Sequence, residues 1–223
     1  MNSAPLPPAV ILAQGTSRRF RGPHQIDKGL ALLGSEPLVA HVAARLRGQS
    51  ARLAINAPES YSAIAREVGA TLLDDAPWTG KGPLAGIRAG LAWASEAASP
   101  VAHVLVAPVD MPFLPADLAA RLRSGLRSGE AAIACTEAGS AIPVLGLWPL
   151  AALATVEAFL KGGTNLAVHA ALGRVTWRPV VFPAAELIDI DDRESLVEAE
   201  GRLAATIEAG GPIPGDCDFG APR

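Results

Sequence analysis

The run Leu12-Ala13-Gln14-Gly15-Thr16-Ser17-Arg18-Arg19, followed by Asp27-Lys28-Gly29, joins a glycine-containing loop to cationic side chains directly behind a short apolar segment. In open α/β folds, a loop leaving a parallel strand lies at the carboxyl edge of the sheet, where ligands bind. Gly15 lets backbone N–H groups approach phosphate oxygens, and Arg19 and Lys28 bring positive charge to the same place. No Gly-Lys-Ser/Thr follows at the Walker A spacing, so the loop is a different kind of phosphate cradle. The bland alternative is an ordinary strand-to-helix turn with solvated basic residues.

Further along, Asp110 stands between Pro108 and Pro112 at the end of the apolar run Val101 to Ala107. A carboxylate at a strand end is a hard oxygen ligand suited to Mg²⁺ bridging a triphosphate, although the same residue type also caps helices. The next helix is expected from Pro115, with Asp117 in its first turn. Gly80-Lys81-Gly82-Pro83-Leu84-Ala85-Gly86 opens a helical stretch whose N-terminus favours anions, or its glycines only punctuate a turn. Asp74 and Asp75 end another strand and suit a second metal, a ribose or a base edge. Asn56 ends a strand too, where its amide reads a base or ribose or simply closes an Asx turn. His41, on a helix, and His103, within a strand, are expected in surface or core roles. His24 falls in the phosphate loop. Order and spacing show no nucleophilic triad.

The elements that must position these groups follow from hydrophobic periodicity. Short apolar runs alternating with helical stretches predict a mostly parallel sheet with crossover helices. Strands are expected at 9–13, 52–56, 70–73, 101–107, 131–136, 142–148, 174–181 and 186–190. Helices are expected at 37–47, 58–68, 84–93, 115–126, 150–160 and 193–208. The run at 101–107 is the most hydrophobic and belongs at the centre of the sheet. This is an α/β fold with a small antiparallel extension after Ala131, read as one domain over 1–208 with a tail, 209–223.

With 223 residues, half of them hydrophobic and 18% charged, the chain is long enough for one sizeable core. A net charge of −3 without a clustered basic face argues against nucleic acid as partner. Cys135 and Cys217 fit no metal spacing, and a reducing cytoplasm is expected. No apolar run reaches the roughly 20 residues of a membrane span, and no signal peptide is read at the start.

Taken in order, these residues resemble the molybdenum cofactor guanylyltransferases. The resemblance is carried by Leu12-Ala13-x-Gly15, Arg18-Arg19-Phe20, Asp27-Lys28-Gly29-Leu30, Pro37-Leu38 with His41-Val42, and Ile55-Asn56-Ala57. It continues through Asp75, Gly82-Pro83-Leu84-Ala85-Gly86, Pro108-x-Asp110-x-Pro112, Asp117-Leu118, Gly146-Leu147-Trp148 and Ile190-x-x-Arg-Glu-Ser-Leu.

The resemblance implies a three-layer α/β/α, Rossmann-like fold of the nucleotide-diphospho-sugar transferase type. It also implies that GTP is held by the Leu12–Gly15 backbone, including Ala13 and Gln14, with Lys28, Asn56, Asp75 and Gly82. Asp110 would hold Mg²⁺, and Arg19, Lys28 and Asp110 would be catalytic. The implied reaction is attack of the molybdopterin phosphate on the GTP α-phosphate with release of pyrophosphate, and proteins that supply molybdopterin or mature molybdoenzymes are the implied partners. The Gly82–Gly86 motif favours this branch over the cytidylyltransferases.

The chain departs from the family pattern at Gln14, where a glycine is usual, and in a 15–28 stretch longer by about three residues. It departs again at Ile142-Pro143-Val144, Gly163-Thr164-Asn165-Leu166 and Asp189-Ile190-Asp191. A carboxylate at 189 or 191 repels an anionic acceptor. A relative using CTP or another phosphorylated acceptor, or a non-catalytic nucleotide-binding partner, is the alternative.

Overall fold

A computed structural model describes residues 5–14, 27–97, 101–163 and 166–208. The predicted sites at Gly15 and Arg19, together with His24, Cys217 and the 209–223 tail, lie outside the described residues.

The elements, in chain order, are β1 (Ala9–Leu12), a hairpin of β2 (Leu32–Leu33) and β3 (Glu36–Pro37), α1 (Leu38–Arg47), β4 (Leu53–Asn56), α2 (Ser62–Glu67), β5 (Thr71–Leu73) and α3 (Pro83–Ser95). There follow β6 (His103–Pro108), α4 (Leu118–Arg123), β7 (Ala131–Thr136), β8 (Ala141–Pro149), α5 (Leu153–Gly162), α6 (Val168–Leu172), β9 (Trp177–Phe182) and α7 (Arg193–Glu208). Seven strands form one sheet in the order β5-β4-β1-β6-β8-β7-β9. As the hydrophobicity of its sequence predicts, β6 is the middle strand.

Side chains alternate across the strands, and both faces are covered. Ile11, Ile55, Leu105 and Ala107 pack with Val42 and Leu46 of α1, Ile64 of α2 and Leu122 of α4. Val10, Ala54, Val104 and Val106 pack on the opposite side with Ile87 and Leu91 of α3, Val156 and Leu160 of α5, and Leu172 of α6. Continuous apolar strands are what a sheet buried on two faces requires. The result is three layers, α/β/α.

Within the seven-stranded sheet the antiparallel component is a single strand, and it lies inside the sheet. Only four residues separate β7 from β8, too few for a crossover, so the two form a hairpin and β8 inserts between β6 and β7, antiparallel to both. The last strand, β9, then pairs parallel with β7.

Four local expectations are corrected. The strand expected at 186–190 is a 3-10 turn, Ala184–Glu186, followed by irregular chain. Leu187 and Ile190 are the buried residues there, three apart, which strand alternation cannot satisfy. The helix expected at 115–126 is confined to Leu118–Arg123, and Asp117 precedes it instead of lying in its first turn. Asp117 makes no side-chain cap, and the buried Gln49 accepts from the Ala119 N–H at 2.9 Å in its place. Neither α6 nor the β2–β3 hairpin was expected, because both are too short to show a period. Among the described residues, no helix is long and apolar enough to cross a membrane.

Candidate active site

The parallel strands β1, β4 and β6 end side by side, with Leu12 in register with Asn56 on one side and Pro108 on the other. Three predicted segments far apart in the sequence are thereby delivered to one edge. The loops are stitched together by backbone bonds: Ala13 N–H donates to Asn56 C=O at 2.9 Å, and Val109 N–H donates to Leu12 C=O at 3.1 Å.

A cavity of about 260 Å³ opens there. Leu12, Ala13 and Gln14 form one part of its wall, Lys28 and Asp27 a second, and Asn56, Gly82 and Pro83 a third. Pro108, Val109, Asp110 and Met111 line the β6 side, with Ile142, Val144 and Asp189 beyond them. Every described residue predicted to bind nucleotide is on this wall except Asp75. That residue is buried behind Asn56, whose Nδ2 donates to its Oδ1 at 2.6 Å.

Lys28 is the electrostatic centre. Its Nζ donates to Asp110 Oδ2 and to Asp191 Oδ1, each at 2.8 Å. Burial by itself would lower the pKa of this ammonium, but Asp110 and then Asp191 outweigh burial and hold it above the ordinary lysine value. Asp191 is brought in by tertiary structure. Ile190 N–H donates to the Asp110 carbonyl at 2.9 Å, tying the 188–192 chain to the end of β6. Just beyond, Asp192 accepts from Ser195 N–H, and Ser195 Oγ accepts from the Asp191 and Asp192 N–H groups, a reciprocal cap that starts α7. The sequence exposes that cap as Asp-x-x-Ser. It does not expose the partner 163 residues away. The charge of Asp191 is therefore met by Lys28, whereas Asp189 stands exposed on the wall with no ion pair among the described residues.

Asn56 is not a turn-closing residue. Its amide is oriented by Asp75 and by the Leu73 carbonyl, which both accept from Nδ2. Its Oδ1 consequently faces α3 at Gly86. A Cβ on Gly86 would lie 2.3 Å from Asn56 Oδ1 and 2.8 Å from Leu12 Cδ2. The second glycine of the Gly82–Gly86 motif is thus the space into which Asn56 fits. Gly82, at φ 72, turns the chain into Pro83 and the N-terminus of α3, whose first-turn N–H groups form an anion-favouring end at the wall. Gly86→Ala should expel the Asn56 amide, lower stability by about 1–3 kcal/mol and weaken nucleotide binding. Thermal melts beside calorimetric titration check this; a variant with unchanged affinity would remove Asn56 from the binding site.

Burial raises the pKa of Asp75, the Asn56 hydrogen bond partly opposes this, and the neighbouring Asp74 adds to it. A carboxyl whose folded pKa is raised costs stability once ionised. The cost is absent below the ordinary carboxylate pKa, grows as pH rises through the folded value and is complete above it. Asp75→Asn keeps an acceptor for Asn56, so it should raise the melting temperature at pH 7 with a gain that vanishes on acidification. Melts of both proteins from pH 3.5 to 8 test the sign.

His41 is buried, with Nε2 against the Leu33 carbonyl at 2.9 Å, and His103 bonds the Glu130 carbonyl at 2.9 Å through Nε2. Both serve the fold, as expected. Cys135 is a buried free thiol. Among the described residues no three His, Cys, Asp or Glu side chains converge as a metal cage.

Residues 9–175 match the family described as "MobA-like NTP transferase domain". A molybdenum cofactor guanylyltransferase of Cereibacter sphaeroides is 42% identical over 198 residues, covering 87% of this chain and 95% of that protein. One from Acidiphilium cryptum is 38% identical over 174 residues, covering 78% and 83%. The structure of molybdopterin-guanine dinucleotide biosynthesis protein A from Archaeoglobus fulgidus superposes with a TM-score of 0.69 at 20% identity, covering 89% of this chain and 99% of that one. The cavity at the strand ends and the sequence match agree: this chain belongs to the MobA-like NTP transferase family and is a nucleotidyltransferase.

Proposed function

We propose that this protein transfers GMP from GTP to the terminal phosphate of molybdopterin. A phosphate oxygen of the acceptor bonds to the α-phosphorus of GTP, the bond from that phosphorus to the β-phosphate bridging oxygen breaks, and pyrophosphate leaves. The observation that carries the reading is the convergence of Lys28 and Asp110 in one cavity with Asn56 and the N-terminus of α3.

On this reading Lys28 takes phosphate oxygens in exchange for its carboxylate partners, and Arg19, outside the described residues, is the second cation that offsets the charge of the pyrophosphate. Such positioned charge is the main source of rate in phosphoryl-group chemistry. Guanine carries two adjacent donors, N1–H and its 2-amino group, where cytosine has a single amino group. Asn56 lines the wall where such a base edge would lie, and the buried Asp75 orients its amide from behind.

The residues fit Mg²⁺. It commonly uses only one or two protein carboxylates and completes its shell with phosphate and water, and Asp110 and Asp191 already converge on one cation, Lys28. When bound by Asp110 and Asp191, Mg²⁺ would neutralise charge on the triphosphate. Gln14 projects where the family pattern has a glycine, and it bounds the same space as Ala13. Residues 1–208 act as one nucleotidyltransferase domain on this reading.

A second acceptor class is favoured by one feature: beyond Asp110 the wall is Ile142, Val144 and the exposed Asp189. Pyrophosphate release measured with GTP or CTP, Mg²⁺ and either molybdopterin or no acceptor separates the readings. Release requiring GTP and molybdopterin together supports the proposal. Preference for CTP overturns the GTP assignment, release that does not need molybdopterin overturns the acceptor, and tight GTP binding without release points to a non-catalytic partner.

A further inference from the structure

Tyr61 is fully buried at the end of a 3-10 turn, Glu59–Tyr61, behind β4. Its ring belongs to the core beneath α1 and α2, but its hydroxyl leaves the core and donates to Asp27 Oδ1 at 2.5 Å. The same carboxylate oxygen accepts from the Gly29 N–H at 3.3 Å and so caps the 3-10 turn that carries Lys28. A Cβ on Gly29 would lie 2.5 Å from the Tyr61 hydroxyl oxygen and 2.8 Å from Val109 Cγ2. The chain at Gly29 is therefore held between the tyrosine and the residue preceding Asp110. Burial and the Asp27 carboxylate both push the phenol pKa up, with only the Gly29 backbone opposing, so the hydroxyl remains a donor at any working pH.

We propose that Tyr61 is a positioning residue for nucleotide transfer: through Asp27 and Gly29 it fixes the end of the phosphate loop and aims Lys28 into the cavity. This rests on the reading that Lys28 binds the triphosphate. Tyr61 itself touches no substrate. A buried phenol whose hydroxyl, among the described residues, bonds the lysine-bearing turn has a purpose beyond filling space, since phenylalanine fills the same volume without demanding a partner.

The test is a double-mutant cycle on the full chain. Dissociation constants for GTP with Mg²⁺ are measured for the wild type, Tyr61→Phe, Lys28→Ala and the double variant, using NMR titration to millimolar nucleotide for the weak complexes. Tyr61→Phe should weaken GTP binding about 10-fold, the scale of one charge-assisted hydrogen bond, and should change it less than about twofold when Lys28 is already alanine. Asp27→Ala breaks the contact from its other side and should show the same loss and the same dependence on Lys28. A merely structural role predicts equal losses in both backgrounds, and additive free energies would overturn the proposal. Wild-type protein that binds no triphosphate would instead overturn the reading beneath it.

Discussion

Lys28→Ala should weaken nucleoside triphosphate binding by about 100-fold or more while the protein still folds. The ammonium makes two charge-assisted hydrogen bonds, to Asp110 and Asp191, and is itself buried. Bonds of this kind contribute about 1.5–3 kcal/mol each, so losing them to phosphate oxygens costs two powers of ten or more in affinity. Removing the lysine also leaves two carboxylates facing each other at the place where phosphates must enter. The fold survives because Asp110 and Asp191 keep 26% and 46% of their side-chain surface in solvent, so water takes over their hydration and screens their repulsion. Lys28→Met restores the apolar stem without the charge and should bind as poorly as the alanine variant. If methionine binds as well as lysine, charge at residue 28 is irrelevant and the phosphate-loop assignment fails. The linkage has a definite sign. A lysine whose folded pKa is raised contributes its stability at every pH below the ordinary value of about 10.4, and loses it only as pH climbs through the folded pKa. The difference in melting temperature between wild type and Lys28→Met should therefore not change through lysine titration from pH 6 to 9, and should shrink only in strong alkali.

Asp110→Asn should leave the fold and most of the GTP affinity in place and reduce turnover by about 10²–10³-fold, the usual cost of removing one group that stabilises charge in the transition state. Asparagine preserves volume, and the backbone at residue 110 is held independently by the Ile190 N–H bond, so the chain does not move when the side chain changes. The loss comes from the carboxylate alone, as a partner of Lys28 and a ligand suited to Mg²⁺. Steady-state pyrophosphate release across a range of Mg²⁺ concentrations reads it. Turnover equal to wild type at every Mg²⁺ concentration would remove Asp110 from the chemistry.

The two substitutions separate roles that the Lys28–Asp110 ion pair merges. On the proposed reading Lys28 serves substrate capture, so its loss should appear in KM and in direct binding. Asp110 on the same reading serves the reacting phosphate, so its loss should appear in kcat.

Much of this arrangement is legible from local pattern. Apolar runs of four to six residues at β1, β4 and β6, each ending in Leu12, Asn56 or the Pro108-Val109-Asp110 turn, specify parallel strands with a shared functional edge, because side chains of such strands bury on both faces and only their ends are free for chemistry. The glycine and proline of the Gly82–Gly86 motif likewise mark a helix start. What the motif could not convey is why Gly86 is glycine: the reason is an amide from β4 pressed against it. Asp75 is similar. Its type and strand-end position suggested a base or ribose contact, whereas the fold puts Asn56 on the wall and Asp75 behind it.

The sequence by itself determined the alternation of strands and helices, the central strand and the strand ends that carry Leu12, Asn56 and Asp110, since each depends on periods of two or 3.6 residues and on turn residues read within a short window. Tertiary structure alone decided the partners. Asp191 reaches Lys28 across 163 residues, and Tyr61 reaches Asp27 across 34, neither through any local signal. It also decided that β8 lies inside the sheet, because strand order depends on which edges remain open once the crossovers have packed. Pairings of this kind are set by the summed packing of both faces of the sheet, and no stretch of sequence contains that sum.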